Sequence, residues 1–297
     1  MAPPRPLGYA VVTGASSGIG TELATGLAKR GYPLMLIARR EAFLQKLADQ
    51  LTTMHGQSVL VRACDLADRD ARARLVAELA GLEVAVLCNN AGFPTCGSLL
   101  DNDPGRETAE VEVNVVAMHE LTLAVLPGMV RRAAGFVLVT GSNAGEQPVP
   151  TAATYAASKA FANTFTESLH VELIGTGVSC TLLEPGPVRT EFTRVGGIEG
   201  SERHRWMGWN SPARVAAEAL DAMERGQRVV IPGLLAKAQT YTGRFLPRAV
   251  LFPILRRVIL PALRDAAPAA RGFPPAGQAL TAGGTWHRRT RTRQAGN

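Results

Sequence analysis

The stretch Thr13–Gly20, TGASSGIG, decides the fold of this sequence. It follows a short apolar run, Tyr9–Val12, and opens a helical pattern. Its glycines permit a tight turn and a close approach of the backbone, and the free N–H groups of the helix can then bind a pyrophosphate. Strand, turn and helix in this order predict a dinucleotide site rather than a plain turn. The predicted contacts are Gly14, Ser16, Ser17, Gly18, Ile19 and Gly20.

The rest of the chain repeats this alternation of strand and helix. Short, continuous apolar runs are typical of strands that are buried on both faces of a parallel sheet. We predict strands at Tyr9–Val12, Leu34–Ala38, Val59–Cys64, Val84–Cys88, Phe136–Thr140, Val178–Leu183 and Val229–Ile231. We predict helices at Ile19–Arg30, Glu41–His55, Asp68–Leu79, Arg106–Arg132 and Thr154–Ile174. This pattern predicts an α/β fold, a Rossmann-type doubly wound parallel sheet with helices on both faces.

The predicted organisation is one catalytic domain, residues 5–235, followed by two C-terminal segments. Residues 236–264 form an apolar and basic extension, in which prolines and arginines argue against a membrane-spanning helix. Two interpretations of this extension stay open, an amphipathic cover over the domain and an element at a membrane surface. Residues 265–297 are rich in Ala, Pro, Gly and Arg, and we expect them to be disordered.

The charge of the 297-residue chain is concentrated at its end. The formal net charge is +7. Residues 1–255 carry 24 basic and 24 acidic side chains, whereas residues 256–297 carry eight arginines and one aspartate. A neutral domain with a basic tail argues against a nucleic-acid-binding fold, so we expect no nucleic-acid partner.

Cysteine and N-terminal patterns bear on the compartment. Cys64, Cys88 and Cys180 lie in or beside apolar runs, and the four cysteines form no CxxC pair. Buried thiols in a reducing compartment are therefore expected. The first residues contain no apolar signal stretch, which favours a cytoplasmic protein, with membrane association through residues 241–297 as a further expectation. The five scattered histidines show no metal-ligand spacing, so no metal site is predicted.

The end of the second strand bears on cofactor choice. A site that prefers NAD usually carries a carboxylate here for the ribose 2′-hydroxyl. This chain has Arg39 and Arg40 instead. Guanidinium groups bind phosphate bidentately, which favours NADPH/NADP+ over a solvated charge pair, the alternative. Asp65, followed by Leu66, is placed either to contact the adenine or to cap the next helix.

Four further positions suggest carbonyl chemistry. Tyr155 and Lys159 share one helix face, and the ammonium should lower the phenol pKa and make Tyr155 a general acid. Ser142 follows a strand, where it can either hydrogen-bond a substrate carbonyl or cap a turn. Asn114 interrupts an apolar stripe; it either holds a water against Lys159 or is a core asparagine bonded to backbone.

Taken together, these motifs resemble the short-chain dehydrogenase/reductase family over about residues 8–232. Their order and spacing match in TGASSGIG, in NNAG at 89–92, in YAASK at 155–159 and in PGPVRT at 185–190. The resemblance implies that Asn114, Ser142, Tyr155 and Lys159 form a catalytic tetrad. It also assigns to the cofactor site Asn90, Ala91, Gly92, Tyr155, Lys159, Pro185, Gly186, Val188 and Thr190. Gly141 departs from the family, whose members often have a serine there.

Further stretches, such as LTLAVLPGM at 121–129, resemble bacterial NADPH-dependent reductases of long-chain 3-oxoacyl compounds, including mycolate precursors. This resemblance implies a small, apolar carbonyl substrate. The alternatives are a steroid, polyketide or other carbonyl or alcohol substrate, and a non-catalytic NADP(H)-binding sensor or scaffold. Family members commonly pair through helices such as 106–132 and 154–174, which implies a homodimer or homotetramer.

The segment Glu191–Asn210 is the candidate for substrate contact. A loop of this length in a compact domain is usually functional. We expect it to close as a lid over an apolar ligand with Phe192, Trp206 and Trp209, and Phe93 to line the same cleft. The alternative is a surface loop whose aromatic side chains anchor it to the core.

Overall fold

Seven parallel strands form the centre of the fold. The computed structural model describes residues 8–191, 209–259, 278–280 and 286–288. The strands are β1 Tyr9–Thr13, β2 Leu34–Ala38, β3 Val59–Ala63, β4 Val84–Asn89, β5 Gly135–Thr140, β6 Val178–Leu183 and β7 Val229–Val230. Their order in the sheet is β3-β2-β1-β4-β5-β6-β7, and every neighbouring pair is parallel. The predicted doubly wound α/β sheet is confirmed.

Helices cover both faces of this sheet. They are α1 Gly18–Lys29, α2 Glu41–His55, α3 Arg69–Gly81, α4 Pro104–Val111, α5 Met118–Arg131, α6 Ala153–Glu172, α7 Pro212–Glu224, α8 Leu234–Phe245 and α9 Arg248–Ile254. A 3₁₀ turn, Asn143–Glu146, precedes α6, and a π-helical segment, Leu255–Ile259, follows α9.

The alternation of side chains along each strand divides the core in two. Ala10 and Val12 of β1 belong to the cluster that packs with α1, α2 and α7, whereas Val11 belongs to the cluster that packs with α3, α5 and α6. Because both faces are covered, both sets of side chains are apolar, which explains the continuous apolar runs of the sequence.

The single helix predicted over Arg106–Arg132 is interrupted. A π-helical segment, Glu112–Ala117, separates α4 from α5 and carries the buried Asn114. Such segments often occur at functional sites, and sequence periodicity does not distinguish them from an α-helix. Among the described residues, Pro104–Arg131 is the one helical stretch long and apolar enough to cross a membrane. Its side chains at 113, 117, 121, 125 and 129 are buried in the domain. A helix buried in the core of a domain can have the same length and apolar composition as a membrane-spanning helix.

The extension after residue 235 packs on the domain through α8. Ala236, Thr240 and Gly243 are buried. The amide of Asn143 donates to Gln239 Oε1 at 3.1 Å, and Arg244 Nη2 lies 3.2 Å from Glu167 Oε2. This is the arrangement of an amphipathic cover, and it leaves the opposite face of α8 exposed.

Residues 268–297 form a second compact unit. Within it, Gln278–Leu280 (β8) pairs antiparallel with Trp286–Arg288 (β9). Disorder was predicted for residues 265–297, and these two strands are the part of that range that the structure describes. Composition alone gave no signal for this pairing.

The turn after β1 depends on glycine. Gly14 and Gly18 have φ of +66° and +57°, in the left-handed region. A Cβ on Gly20 would stand 2.2 Å from the carbonyl oxygen of Gly14 and 2.7 Å from Asn90 Nδ2. The start of α1 can therefore pack against the turn only without a side chain at position 20.

The substitution Gly20→Ala tests this packing. Because the added methyl meets backbone, we expect the free energy of unfolding to fall by about 1–3 kcal/mol, measured by thermal or urea denaturation. Gly81→Ala is the matched control, since a Cβ on Gly81 meets nothing within 4 Å. Equal stabilities of the two variants would contradict the account.

A buried carboxyl pair lies at the end of β6. Glu184 is fully buried, and Glu146 of the 3₁₀ turn is nearby. Burial, with the neighbouring Glu146, raises the pKa of Glu184 to about 8, and Arg244 opposes this shift. The folded protein therefore holds a proton on Glu184 that the unfolded chain releases above its ordinary pKa of roughly 4.3.

The variant Glu184→Gln should show this linkage. A raised folded-state pKa means that stability is full below the unfolded pKa and declines as pH rises towards 8. Glutamine mimics the protonated acid without this decline. We expect it to be more stable than the parent by roughly 1–3 kcal/mol at pH 8 and by much less at pH 5. Melting curves of Glu172→Gln, on the exposed end of α6, serve as control, and a gain equal at both pH values would contradict the assignment.

Candidate active site

The carboxyl ends of β1 and β4 meet where the strand order reverses, the place where such sheets bind ligands. Thr13 Oγ1 accepts from the backbone N–H groups of Asn90 and Ala91, both at 2.9 Å. The Asn90 amide donates to the Thr13 carbonyl at 3.0 Å. A Cβ on Gly14 would stand 2.9 Å from the Ala91 Cα. The structure thus brings together the glycine turn and the NNAG segment, as the sequence predicted.

The two arginines after β2 have different surroundings. Arg40 Nη2 donates to Ser16 Oγ at 3.1 Å and to the Ser16 carbonyl at 3.2 Å, and it forms an ion pair with Glu191 Oε2 at 2.8 Å. Arg39 is exposed and has no ion pair or hydrogen bond within the described part of the chain. The interpretation of both as a solvated charge pair is therefore wrong for Arg40, which lies on the glycine turn.

Asp65 does not cap α3. Its carboxylate accepts from the Ala67 N–H at 3.0 Å, whereas the helix is capped by Asp68, which accepts from Ala71 N at 2.8 Å. Asp65 is exposed and Leu66 is buried. The choice for Asp65 between adenine contact and helix cap is thereby reduced to adenine contact or a local turn.

Asn114 is held on both sides of its amide. Its Oδ1 accepts from Phe93 N at 3.1 Å, and its Nδ2 donates to the Phe93 carbonyl at 3.1 Å and to Ser158 Oγ at 3.0 Å. These are the bonds of a core asparagine. A Cβ on Gly92 would stand 2.9 Å from Asn114 Oδ1 and 3.5 Å from Lys159 Nζ, so the bare glycine keeps these two groups in one small space.

Ser142, Tyr155 and Lys159 converge beside this space. Lys159 is buried, donates to the Thr140 carbonyl at 2.7 Å, and its Nζ lies 5.9 Å from the centre of the Tyr155 ring. Ser142 Oγ accepts from Ala144 N at 3.1 Å and also hydrogen-bonds Tyr155. The hydroxyl of Ser142 therefore both caps a turn and reaches the phenol.

Burial changes the acidity of both reactive groups. It raises the pKa of Tyr155 above its usual range, and the hydrogen bond with Ser142 only partly offsets this. It lowers the pKa of Lys159 to about 8, against the opposing charge of Glu110. The expectation that Lys159 lowers the phenol pKa is wrong for the protein alone, because the phenolate loses more hydration than its neighbours restore.

The PGPVRT segment lies across the glycine turn. A Cβ on Gly18 would stand 2.8 Å from Thr190 Cγ2, and one on Gly186 would stand 2.9 Å from Ala236 Cβ of α8. Val188 pairs with Asn210. The predicted cofactor residues Pro185, Gly186, Val188 and Thr190 therefore lie between the turn and α8.

Most of the predicted lid, Glu191–Asn210, lies outside the described residues. Phe192 and Trp206 lie outside the described residues, and Trp209 is half-buried at the edge of the described part. Phe93 is half-buried, with the Arg106 guanidinium 5.5 Å from its ring centre.

Sequence reasoning missed Asn163. Its amide donates to the Ser142 carbonyl at 3.0 Å and to Glu146 Oε1 at 2.9 Å, and its oxygen accepts from Ser142 N at 3.3 Å. A Cβ on Gly141 would stand 2.1 Å from Asn163 Oδ1, which explains why a serine is absent at 141. Its position four residues after Lys159 on α6 was the available signal.

Comparisons with known proteins point to the same family as these motifs. The short chain dehydrogenase family matches residues 8–196. The chain is 35% identical over 192 residues to the very-long-chain 3-oxoacyl-CoA reductase of Anas platyrhynchos, covering 63% of this chain and 62% of that protein. It is 40% identical over 169 residues to the protein of the same name from Laccaria bicolor, covering 56% and 50%. The chain thus spans less than two thirds of the length of these relatives.

Solved structures share the fold. A short-chain dehydrogenase from Sphingobium yanoikuyae in complex with NADPH has a TM-score of 0.73 at 27% identity, over 90% of this chain and 99% of that chain. The L-sorbose reductase of Gluconobacter frateurii, complexed with NADPH and L-sorbose, has a TM-score of 0.67 at 26% identity, over 79% and 99%. The family model matches more than half of this chain, and the glycine turn, Ser142, Tyr155 and Lys159 lie together at one edge of the sheet. This chain therefore belongs to the short-chain dehydrogenase family.

Proposed function

We propose that this protein is an NADPH-dependent reductase that converts the carbonyl of a long-chain 3-oxo substrate to an alcohol. The observation that carries the proposal is the convergence of Ser142, Tyr155 and Lys159 beside the glycine turn. The relatives named as very-long-chain 3-oxoacyl-CoA reductases support the substrate class.

The described residues fit the dinucleotide. Positions 14, 18 and 20 have no room for side chains, so the N–H groups at the start of α1 stay open to a pyrophosphate. Arg39, exposed, and Arg40, on the turn, would hold the 2′-phosphate. Residues 90–92 and 185–190 would hold the nicotinamide half. When bound, NADPH supplies the hydride that reduces the carbonyl carbon.

The chain's own residues would supply the proton and the orientation. Tyr155 donates its phenolic proton to the carbonyl oxygen while Ser142 donates a hydrogen bond to it. Lys159 has two N–H donors beyond its bond to Thr140, enough to hold a ribose hydroxyl and to favour the phenolate once it forms. Asn114 Oδ1 keeps one lone pair for a water that returns a proton to Tyr155.

The substrate side of the cleft is apolar where it is described. Phe93, the buried Pro94 and the half-buried Cys96 follow β4, and Cys96 is near enough to Tyr155 to act on its pKa. This lining suits an acyl chain, and an α-branched mycolate precursor is a finer possibility within that class. A panel of long-chain 3-oxoacyl, steroid and polyketide carbonyls separates these substrates in an NADPH-oxidation assay. NADPH binding without turnover on any of them would favour a sensor instead.

We also propose a peripheral contact with anionic membrane through the extension. Tyr241, Phe245 and Phe252 are more than half exposed. Arg256 and Arg257 are exposed next to Phe252. Aromatic side chains beside arginines are suited to the interface of a membrane with negative headgroups.

We also propose that the protein forms a homodimer or homotetramer, because two of its helices expose apolar side chains. The outer faces of α5 and α6 expose the large apolar side chains Leu123, Val130, Phe161 and Val171, and Ile174 is exposed just after α6.

Removing the phenol tests the catalytic assignment. We expect Tyr155→Phe to fold and bind NADPH like the parent but to lose roughly 10²-fold or more in kcat, because the proton donor is gone. NADPH oxidation and fluorescence titration give the two readouts, with Tyr32→Phe as the control. Turnover by Tyr155→Phe at the parental rate would refute the assignment.

The arginine pair is tested by cofactor affinity. Replacing Arg39 and Arg40 by Ala should raise the Kd for NADPH by about tenfold or more, and the Kd for NADH far less, because only NADPH carries the 2′-phosphate. Arg69→Ala, at the exposed start of α3, is the control. Equal losses for both cofactors would remove the phosphate argument.

Membrane contact is tested by co-sedimentation with vesicles. We expect the full chain to sediment with vesicles that contain phosphatidylserine and less with pure phosphatidylcholine, and the double variant Phe245→Ser, Phe252→Ser to lose this binding. Binding that is unchanged by the double substitution would contradict the proposal.

A further inference from the structure

One fully buried carboxylate behind the active site has no part in the chemistry proposed above. Glu110 lies on α4, four residues before Asn114, and none of its surface is exposed. Burying a carboxylate is costly unless its charge or its hydrogen bonds are used. The contacts of Glu110 indicate both uses.

One oxygen of Glu110 holds the loop after β4. Oε2 accepts from the Thr95 N–H at 2.8 Å and from the Thr95 hydroxyl at 2.5 Å, and Thr95 is itself buried. Asn114 holds the same loop at Phe93 with two bonds of 3.1 Å. The last turn of α4 and the π-helical segment that follows it therefore both anchor the loop proposed to line the substrate side of the cleft.

The other oxygen of Glu110 is buried without a hydrogen-bond partner among the described residues. Its charge acts through space on the two reactive groups. It favours the charged form of Lys159, against the burial that disfavours it, and it disfavours the phenolate of Tyr155.

Other charged groups also face this carboxylate. The pKa of Glu110 is raised by the burial of its carboxyl group and by the charge of Glu107 on the same helix. The two hydrogen bonds from Thr95 and the charge of Lys159 on α6 oppose that rise. Cys96 is the remaining titratable neighbour, and burial raises its pKa to about 11, so it stays neutral. Among these groups, Lys159 is the cation that stabilises the Glu110 carboxylate.

We propose that Glu110 is a positioning residue of this site, whose carboxylate anchors the loop Phe93–Cys96 through Thr95 and balances the charge of the buried Lys159 ammonium. The proposal rests on the proposed function only where it concerns turnover, because the charge balance is a property of the protein without substrate.

The charge balance can be measured without an assay of activity. The chain has four lysines, so [¹³Cε]-lysine labelling gives four resonances, and Lys159→Arg assigns that of Lys159. In Glu110→Gln, which keeps the size and an acceptor for Thr95, we expect the Lys159 resonance to titrate at least about half a pH unit lower than in the parent. Glu110→Asp, which keeps the charge, should restore the parental titration.

Two matched variants separate charge from structure. Glu107→Gln removes a carboxylate three residues away on the same helix and should leave the Lys159 titration unchanged. Thr95→Val removes one anchor but no charge, and should raise KM while the Lys159 titration stays parental. An unchanged titration in Glu110→Gln, or an equal shift in Glu107→Gln, would overturn the proposal.

The pH profile of turnover gives the second readout. The alkaline limb of kcat for carbonyl reduction should move to lower pH in Glu110→Gln and return in Glu110→Asp, because both Lys159 and Tyr155 lose their protons more easily without the carboxylate. If the parent reduces no carbonyl, the proposed function fails, and the resonance titration still decides the role of Glu110.

Discussion

The structure depends on the close approach of two backbones, the turn Thr13–Gly20 and the segment that follows β4. Hydrogen bonds from Asn90 and Ala91 to Thr13 Oγ1 hold them together. The glycines leave room for this contact, since a Cβ on Gly14 would stand 2.9 Å from Ala91 Cα and one on Gly20 would stand 2.7 Å from Asn90 Nδ2. The absence of side chains also leaves the first N–H groups of α1 open, so the turn that closes the fold is the same one proposed to bind the pyrophosphate.

Desolvation governs the chemistry on the other side of this contact. Burial opposes the charged forms of Tyr155 and Lys159 alike. The site therefore needs buried charge and hydrogen bonds to set protonation, and the neighbouring elements provide them. Ser142 acts on the phenol, Glu110 on both groups, and Asn163 fixes Ser142 from α6.

Much of this could be predicted from the sequence. The predicted bounds of β2, β6 and α2 match those of the structure, because both faces of the sheet are covered and the helix stripes are regular. The four residues of the predicted tetrad lie close together in the structure, on elements whose order the motif spacing predicted. The π-helical segment around Asn114 was not predicted, because its hydrophobic pattern differs too little from that of an α-helix.

Contacts between residues far apart in the sequence could not be predicted either. Glu110 looks in sequence like one more acid on a surface helix, and only the fold shows that it is buried against Thr95. The ion pair between Arg40 and Glu191 joins residues 151 positions apart and has no local signal. The pKa of Tyr155 was predicted in the wrong direction because burial, which opposes ionisation, cannot be read from the spacing of Tyr155 and Lys159.

The central claim is that this site moves a hydride from NADPH to a 3-oxo carbon. The most direct measurement uses NADPH that carries deuterium in both positions at nicotinamide C4 and a long-chain 3-oxoacyl substrate, with mass spectrometry of the product. The account predicts one deuterium, located on C3 of the 3-hydroxyacyl product. A product without deuterium, or with deuterium at another carbon, would contradict it.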